Sequence, residues 1–323
     1  MFRIAIIGLG HIGRTHVAAL LKTEGLELIS GCDQDANLAS VLPQGVHFYS
    51  SHTSLLDAGG FDTVVVATPN RTHNTLARKV LAAGYHVIVE KPAAASLAEL
   101  QALENLATAQ ERHIYYAFHA ALAFEVDALV AHLTEAEGHY GPLTAFHCRF
   151  FDPYIDSQGR LVAHALSLDD CWSDSGVNAL SVLDRFYPVN HLCASFRRQS
   201  GHPQVPPGVL SASVGFHFPI NQEGSAGFGL IDTAWDQGLN YKATSLYFGQ
   251  SGWRLLVDHT AQTVTAYSPE GVSEQLFQFE GDRLLNHYLG IFADYYNRVQ
   301  TGSRMNASAA LRVHAQLFKG YST

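Results

Sequence analysis

The feature that most constrains the fold is a strand-like run, Phe2 to Ile7, that leads directly into a G-x-G-x-x-G pattern. In this pattern Gly8 permits a tight turn, Gly10 lets a pyrophosphate approach the backbone, and Gly13 lets the next helix pack closely on the sheet. A helix that begins near His11 directs its amides and its dipole toward the phosphates. The predicted cofactor-binding turn consists of Gly8, Gly10, His11, Ile12 and Gly13.

A carboxylate, Asp33, follows about twenty residues after Gly13, at the end of a second apolar run from Leu26 to Ile29. Its oxygens can accept hydrogen bonds from the adenosine ribose hydroxyls, and its charge repels a 2′-phosphate. The next residues, Gln34-Asp35-Ala36-Asn37, include no Lys or Arg to hold such a phosphate. The pattern therefore favours NAD over NADP. The alternative is that Asp33 only caps the turn that follows it.

Composition is typical of a soluble enzyme with two domains. The chain has 323 residues, a hydrophobic fraction of 47% and a formal net charge of −9, which argues against nucleic acid as a partner. No apolar run reaches the length that spans a bilayer, and the start of the chain shows no basic leader, so we expect a cytoplasmic protein without a membrane partner. The 18 histidines and 4 cysteines form no cluster with metal-ligand spacing, and no metal is predicted.

Strand-like and helical patterns alternate over the first third of the chain. Apolar runs at 4–7, 26–29, 63–67, 86–89 and 113–116 are separated by helical patterns around 15–21, 71–82 and 96–109. Such alternation predicts an α/β fold with a doubly wound parallel sheet, a Rossmann domain, whose ligands lie at the carboxyl ends of the strands.

The pattern changes near residue 120. A helix over 120–133 is followed by extended segments at 143–151, 209–218, 226–234, 243–248, 252–257, 263–267 and 274–279, and then by helices at 284–299 and 307–317. Short turns between consecutive runs indicate an antiparallel meander. We therefore predict an NAD-binding Rossmann domain over 1–119 and an α+β domain over 120–323 with a large, mostly antiparallel open sheet.

Two further motifs carry a resemblance to a known family. The segment Thr68-Pro69-Asn70 precedes His73, and the segment Glu90-Lys91-Pro92 follows a buried run. Together with the glycine turn and His16, they make the whole chain resemble the glucose–fructose oxidoreductase/inositol dehydrogenase/MocA (Gfo/Idh/MocA) family. The resemblance implies an NAD(P)-dependent oxidoreductase that acts on sugars or polyols. It also implies that Lys91 lies beside the nicotinamide and the substrate hydroxyl.

The position of Lys91 is consistent with that role, because it follows a parallel strand at the edge where ligands bind. Burial beside an oxidised nicotinamide lowers the pKa of a lysine and favours proton exchange. A cis peptide at Pro92 is one way to fix this side chain. The alternative is an exposed lysine before a proline-led loop. The cofactor contacts expected in this region are Thr68, Pro69, Asn70, His73, Glu90 and Lys91. The alternatives are that Asn70 caps the following helix and that His16 and His73 are structural histidines.

A third motif, Trp172-Ser173-Asp174-Ser175-Gly176-Val177-Asn178, predicts a helix over 172–184. Asp174 and Asn178 are four residues apart and project from one side of that helix. The family commonly has D-x-G-x-H here, and an amide at the histidine position cannot take up a proton near neutral pH. The variant resembles the aldose 1-dehydrogenase branch, as does His119, although Ala120 replaces the arginine that often follows it. The alternative for Asp174 is a helix N-cap.

The prediction is an NAD-dependent sugar or polyol dehydrogenase, in which Asp174 and Lys91 accept the proton of the reacting hydroxyl and Asn178 orients it. An aldose oxidised at C1 is the first expectation, and a sensor that binds NAD and sugar without turnover is the alternative. Further candidate substrate contacts are His119, Arg149, Tyr154, Trp172 and Trp235.

We also predict a homodimer or homotetramer formed through the second sheet. Its apolar face is expected to carry Phe216, Phe218, Phe228, Leu230 and Tyr247.

Overall fold

The computed structural model describes residues 1–136, 138–201, 209–220 and 224–319. It consists of two compact units, one formed by residues 1–119 and 284–311 and the other by residues 120–283 and 312–323. The sequence places residues 284–311 in the second domain, and this assignment is corrected. These residues join the first unit because Tyr288 and Tyr295 hydrogen-bond to Glu90 and Thr63 of its sheet.

The first unit contains a six-stranded sheet of parallel strands in the order β3-β2-β1-β4-β5-β6. The strands are β1 (Phe2–Ile7), β2 (Leu26–Cys32), β3 (His47–Tyr49), β4 (Thr63–Val66), β5 (His86–Glu90) and β6 (Ile114–Ala117). Continuous β-branched runs such as 64–66 are fully buried, as expected for a parallel sheet covered on both faces. Sequence patterns missed β3, which is only three residues long and lacks an apolar run.

Helices connect these strands in the order expected for a doubly wound sheet. They are α1 (His11–Leu20), α2 (His52–Ala58), α3 (His73–Ala82) and α4 (Leu97–Ala109). Two of them begin at a side-chain cap, because Ser51 and Ser96 accept backbone N–H bonds from residues three positions further on. The predicted Rossmann domain is confirmed.

The second unit contains an eight-stranded sheet in the order β14-β13-β12-β11-β7-β10-β9-β8. Its strands are β7 (Ala145–Phe151), β8 (Cys193–Gly201), β9 (Val209–Pro219), β10 (Ala226–Ala234), β11 (Tyr241–Phe248), β12 (Trp253–Asp258), β13 (Thr263–Tyr267) and β14 (Ser273–Gln278). Strand β7 lies between β10 and β11 and pairs with β10 in parallel, so the predicted simple meander is interrupted. Sequence patterns did not predict strand β8, because its residues are mostly exposed and polar.

Alternation along the strands of this sheet separates a buried face from an open one. Phe216 and Phe218 are 3% and 1% exposed, so their predicted place on the open face is wrong. Phe228 is 66% exposed on the open face, where His147 and Asp232 also form a hydrogen bond of 2.6 Å. This face is mixed in polarity, and the homodimer or homotetramer stays a prediction.

The helices of the second unit differ in detail from the predicted ones. The predicted helix over 120–133 is a short 3₁₀ turn, His119–Leu122, and then α5 (Phe124–Glu135), because Ala123 between them is extended. The predicted helix over 172–184 begins with a π-helical turn, Trp172–Gly176, and continues as α6 (Val177–Leu183). Two further helices follow the second sheet, α7 (Arg283–Thr301), which belongs to the first unit, and α8 (Ala307–Lys319), which the division at residue 311 shares between the units.

Candidate functional site

The glycine turn between β1 and α1 has the geometry that a phosphate-binding turn requires. Gly8 has a φ of +99°, and a Cβ there would lie 2.3 Å from the carbonyl oxygen of Ala67. A Cβ at Gly13 would lie 2.1 Å from the carbonyl oxygen of Gly8. A Cβ at Gly10, in contrast, would meet no described heavy atom within 4 Å. Packing therefore demands glycine at two positions, and the third opens the backbone toward a ligand.

Helix α1 starts directly at this turn, with His11 and Ile12 as its first residues. In the described structure no side chain caps it at Gly10. The amides of a helix's first turn have no intrahelical acceptors, and they bind anions well. The predicted contacts of His11 and Ile12 with a phosphate would use these amides.

Asp33 follows β2 and is fixed by two backbone amides. Its Oδ2 accepts the N–H of Leu9 at 2.8 Å, and its Oδ1 accepts the N–H of Asp35 at 3.0 Å. The second bond is the turn-capping role weighed as the alternative from sequence. The first bond ties the carboxylate to the glycine turn, and each oxygen keeps a lone pair for another donor. Binding of the ribose by Asp33 stays a prediction.

The carboxyl end of β4 leads into the Thr68-Pro69-Asn70 segment. The Oγ1 of Thr68 lies 2.7 Å from the Oγ1 of Thr72, which closes the short 3₁₀ turn that starts at Asn70. Pro69 occupies the N-cap position, so Asn70 does not cap this turn. The buried Nδ2 of Asn70 has no hydrogen-bond partner among the described residues. A buried donor without an acceptor is costly, and a ligand acceptor would relieve that cost.

The carboxyl end of β5 carries a buried carboxylate beside the candidate lysine. Glu90 is 4% exposed, and its Oε1 accepts hydrogen bonds from the Nε2 of His16 at 2.8 Å and from the hydroxyl of Tyr288 at 2.7 Å. Burial raises the pKa of Glu90, but these bonds and the charges of His16 and Lys91 outweigh it and leave the pKa below its usual range. Glu90 is therefore an anion behind Lys91.

The backbone of Lys91 is held from both sides. Its N–H donates to the Oε2 of Glu90 at 3.2 Å, and the Lys91–Pro92 peptide is cis, as the sequence suggested. The carbonyl oxygen of Pro92 lies 2.9 Å from the Nδ1 of His73, and the carbonyl oxygen of Thr68 lies 2.6 Å from its Nε2. His73 therefore links the loop after β4 to the loop after β5.

Two of the predicted cofactor contacts, His73 and Glu90, are engaged by groups within the protein. His73 is 1% exposed with both ring nitrogens on backbone carbonyls, and burial lowers its pKa, so the neutral ring donates to one of them. Glu90 is turned toward His16 and Tyr288. Both residues help to position Thr68, Lys91 and Pro92, and their contacts with a cofactor stay a prediction.

His119, a predicted substrate contact, lies among aromatic residues of the first unit. It is 8% exposed, its ring stacks on Tyr288 at 5.3 Å, and its Nδ1 lies 3.3 Å from the Nδ1 of His287. Sequence reasoning missed His287 and Tyr288. The run Asn286-His287-Tyr288 could have indicated them, because polar residues on the buried face of a helix need hydrogen-bond partners.

In the second unit the D-x-G-x-N motif lies at the junction of the π-turn and α6. Asp174 is 5% exposed on the π-turn, and its N–H donates to the carbonyl of Asp170 at 3.0 Å. Asn178 is 6% exposed, and its Oδ1 is buried without a hydrogen-bond partner in the described part of the chain. π-Helical turns are rare and frequent at functional sites. The unpaired amide oxygen is an acceptor for a ligand hydroxyl.

A buried network supports the π-turn, and the sequence did not predict it. The Oγ of Ser175 donates to the Oδ2 of Asp152 at 3.0 Å, and the Oδ1 of Asp152 lies 2.6 Å from the Nζ of Lys242. Burial lowers the pKa of Lys242, while the charges of Asp152 and Asp174 oppose that shift. Burial raises the pKa of Tyr154, a predicted substrate contact, and Asp174 and Asp152 add to the rise. The charge of Asp174 therefore acts on the pKa values of both Tyr154 and Lys242.

Replacing Lys242 with methionine should lower the free energy of unfolding by about 3 kcal/mol, because it leaves the Asp152 carboxylate buried without its cation. Chemical denaturation measures this loss. Lys22→Met removes an exposed lysine as the matched control and should change the free energy of unfolding by less than about 0.5 kcal/mol. Equal losses in the two variants would contradict the stabilising role of the Lys242–Asp152 pair.

The two tryptophans predicted to contact a sugar are core residues in this structure. Trp172 is 1% exposed, its Nε1 donates to the carbonyl of Leu317 at 3.0 Å, and its ring fills the space over Gly176. Trp235 is fully buried and packs against Tyr154 with ring centroids 5.3 Å apart. Both indoles serve packing in this structure, and their predicted contacts with a sugar stay a prediction.

Arg149 lies on the opposite face of the sheet from the π-turn, which corrects its predicted substrate contact. Arg149 pairs with Asp232 across the β7–β10 ladder, and Phe150 pairs with Thr233. Cys171, which precedes the π-turn, lies 3.5 Å from the hydroxyl of Thr233. Because neighbouring residues of a strand point to opposite faces, Arg149 points away from the π-turn and joins the charged network of the open face.

Comparisons with known proteins agree with these observations. Residues 2–118 match the GFO_IDH_MocA model, an oxidoreductase family with an NAD-binding Rossmann fold. The uncharacterized oxidoreductase YdgJ of Escherichia coli (strain K12) is 30% identical over 161 residues, 49% of this chain and 46% of that protein. Inositol 2-dehydrogenase 1 of Saccharopolyspora erythraea is 34% identical over 102 residues, 30% of each protein. The alignments therefore span less than half the length of these curated relatives.

A solved structure extends the likeness in fold to nearly the whole chain. An inositol dehydrogenase homolog from Azotobacter vinelandii, complexed with NADH and myo-inositol, has a TM-score of 0.80 at 17% sequence identity. The superposition covers 98% of this chain and 94% of that protein. At this identity the likeness shows the fold of both units.

The fold and the family model together define an NAD-binding Rossmann domain in the first unit. The match to the Gfo/Idh/MocA family covers residues 2–118, which is less than half of the chain. The resemblance to the aldose 1-dehydrogenase branch stays a prediction. Within the described ranges no helix is long and apolar enough to cross a membrane. The same residues include no group of three or more His, Cys, Asp or Glu side chains arranged for a metal ion.

Proposed function

We propose that this protein is an NAD-dependent dehydrogenase that oxidises a hydroxyl group of a sugar or polyol. The observation that carries the proposal is the fixed position of Lys91 at the carboxyl end of β5, between the Glu90 carboxylate and the His73–Pro92 bond. In an open α/β sheet this is the edge where ligands bind. A lysine held there, with an anion behind it, suits proton exchange with a substrate hydroxyl.

The residues present fit a nicotinamide dinucleotide. The space over Gly10 and the first amides of α1 suit the pyrophosphate, and Asp33 offers lone pairs for the ribose hydroxyls. The unpaired Nδ2 of Asn70 suits an acceptor on the nicotinamide half. When bound, the cofactor supplies the hydride acceptor, and the protein contributes binding and orientation.

The choice of NAD over NADP depends on Asp33 in this proposal. Asp33→Ser combined with Gln34→Arg should weaken NAD and strengthen NADP by about tenfold each, because a repulsive carboxylate is exchanged for a guanidinium that binds phosphate. Gln34 is exposed, so the arginine needs no repacking. Binding titrations with both cofactors measure the change. Equal affinity of the wild type for NAD and NADP would show that Asp33 does not discriminate between the two cofactors.

The polar groups near Asp174 suit the substrate side of the reaction. The Oδ1 of Asn178 accepts a substrate hydroxyl and so gains the partner that it lacks. Asp174 and Lys91 serve the same proton transfer, in which one of them takes the hydroxyl proton and the other stabilises the charge that results. Asn178 orients the substrate and holds no proton itself.

The substrate class follows from the relatives and from the motif. The inositol 2-dehydrogenase of Saccharopolyspora erythraea and the Azotobacter homolog with myo-inositol favour a cyclic polyhydroxy compound. The D-x-G-x-N motif with Asn178 resembles that of the aldose 1-dehydrogenase branch, and this resemblance favours a cyclic aldose oxidised at C1 to its lactone. Cyclic polyols are the second choice.

The test is a screen for NAD reduction, followed by nicotinamide absorbance, against a panel of cyclic aldoses and inositols. A dehydrogenase produces a steady increase in absorbance with at least one member. The alternative sensor binds a sugar in calorimetry without reducing NAD, and that result with every compound that binds would overturn the proposal.

A further inference from the structure

A cavity opens at the amino edge of the parallel sheet, away from the glycine turn and Lys91. It lies at the starts of β1, β5 and β6, where Phe2, His86 and Ile114 line it, and its volume is about 480 Å³. Parallel strands all run the same way, so this edge lies one strand length, roughly 17 Å, from the carboxyl edge. The proposed dehydrogenase site does not use it.

Two arginines are fixed in the wall of this cavity by hydrogen bonds that leave part of each guanidinium for a ligand. Arg112 donates from Nε to the carbonyl of Gly84 at 2.5 Å and from Nη1 to the carbonyl of Glu111 at 2.9 Å. Arg298 donates from Nε to the Oδ2 of Asp294 at 2.6 Å and from Nη1 to the carbonyl of Arg304 at 2.5 Å. Within the described structure these bonds use Nε and Nη1 and do not involve the Nη2 of either residue.

The loop after α7 adds a third arginine. Arg298 holds the backbone of this loop through the Arg304 carbonyl, so the Arg304 side chain is presented at the cavity from an anchored position. Arg304 is exposed, and no described residue pairs with its guanidinium. Three guanidinium groups thus converge on one cavity in a chain whose net charge is −9.

The titration of a neighbouring histidine agrees with a positive local potential. Burial first, and then the charges of His113 and Arg112, lower the pKa of His86 to about 4, against the opposing charge of Asp62. The acidic residue in the lining is Glu104, which accepts a hydrogen bond from the Tyr116 hydroxyl. Burial raises the pKa of Glu104, so it opposes an anion less than an exposed carboxylate would.

We propose that this cavity binds a small molecule that carries a phosphoryl group. Guanidinium groups pair with phosphate oxygens through charge-assisted hydrogen bonds, and pre-oriented ones lose little entropy when they bind. Apolar side chains line the rest of the cavity and suit the apolar part of an organic ligand; among them are Phe2, Val299 and Met305. The volume is in the range of small-molecule sites and exceeds that of a phosphate alone.

Isothermal titration with inorganic phosphate tests the proposal on the full chain saturated with NAD, which occupies the phosphate-binding turn at the other edge. The ionic strength is kept constant during the titration, so that changes in charge screening do not alter the measured affinity. Arg304→Gln should weaken phosphate about tenfold, and Arg112→Gln should do the same. Arg78→Gln removes an exposed arginine of α3 outside the cavity and should leave the affinity unchanged.

Thermal unfolding of each variant shows whether it is folded, and Arg304→Gln removes no described intramolecular side-chain contact. A loss of affinity in Arg304→Gln and Arg112→Gln but not in Arg78→Gln supports the site. Equal affinity in all four proteins, or no heat of binding in the wild type, overturns it.

Discussion

Replacing Lys91 with methionine should lower turnover by roughly two to four orders of magnitude, the span typical of a lost acid–base group. Methionine keeps most of the length and volume of the side chain, and it cannot exchange a proton. The bonds that hold this backbone, from Glu90 and from His73 through Pro92, do not involve the lysine ammonium, so the fold and NAD binding should persist. Steady-state rates at saturating NAD and substrate measure the change.

The control for this variant is Lys22→Met, which removes an exposed lysine of the same unit and should leave turnover unchanged. Fluorescence titration of NAD on Lys91→Met separates loss of chemistry from loss of cofactor. A near-normal rate in Lys91→Met would rule out proton transfer by this residue. The alternative sensor predicts altered ligand affinity in the variant and no turnover in either protein.

The first unit could be predicted from sequence because its signals are local. The run from Phe2 to Gly13 contains a strand, a turn and a helix start within a dozen residues, and each glycine has a separate steric reason. The length of the intervening helix and second strand sets the position of Asp33, so the pattern predicts that it lies near the glycine turn, where it accepts the N–H of Leu9.

Partners that are remote in sequence could not be predicted. Tyr288 lies 198 residues from the Glu90 carboxylate that it contacts, and Lys242 lies 90 residues from Asp152. A buried polar residue needs a hydrogen-bond partner, but the sequence does not identify which residue that partner is. The same limit explains why residues 284–311 were assigned to the wrong unit.

Sheet register accounts for the errors in the second unit. Phe216 and Phe218 were assigned to a face, and Arg149 to the substrate site, without knowledge of the strand order, and a shift of one residue moves every side chain to the other face. The pairing of β7 in parallel with β10, which short-range turns do not reveal, places Arg149 beside Asp232 on the open face.

Replacing Asp174 with asparagine should lower turnover about as much as Lys91→Met, by roughly two to four orders of magnitude, because the change removes a carboxylate and keeps its shape. Asn178→Ala should cost less, about tenfold to a hundredfold, since Asn178 only supplies an acceptor for the substrate hydroxyl. The Ser175–Asp152 bond holds the π-turn independently of the Asp174 side chain, so Asp174→Asn should fold normally.

The double variant Lys91→Met/Asp174→Asn shows whether the two residues act as one unit. Groups that share a proton transfer are strongly non-additive, and the double variant should then be little slower than the slower single variant. Ser173→Ala, a change at the neighbouring position on the same π-turn, serves as the control for disturbance of the turn. If the losses of Lys91→Met and Asp174→Asn multiply in the double variant, the two residues act in separate steps and the shared proton transfer is refuted.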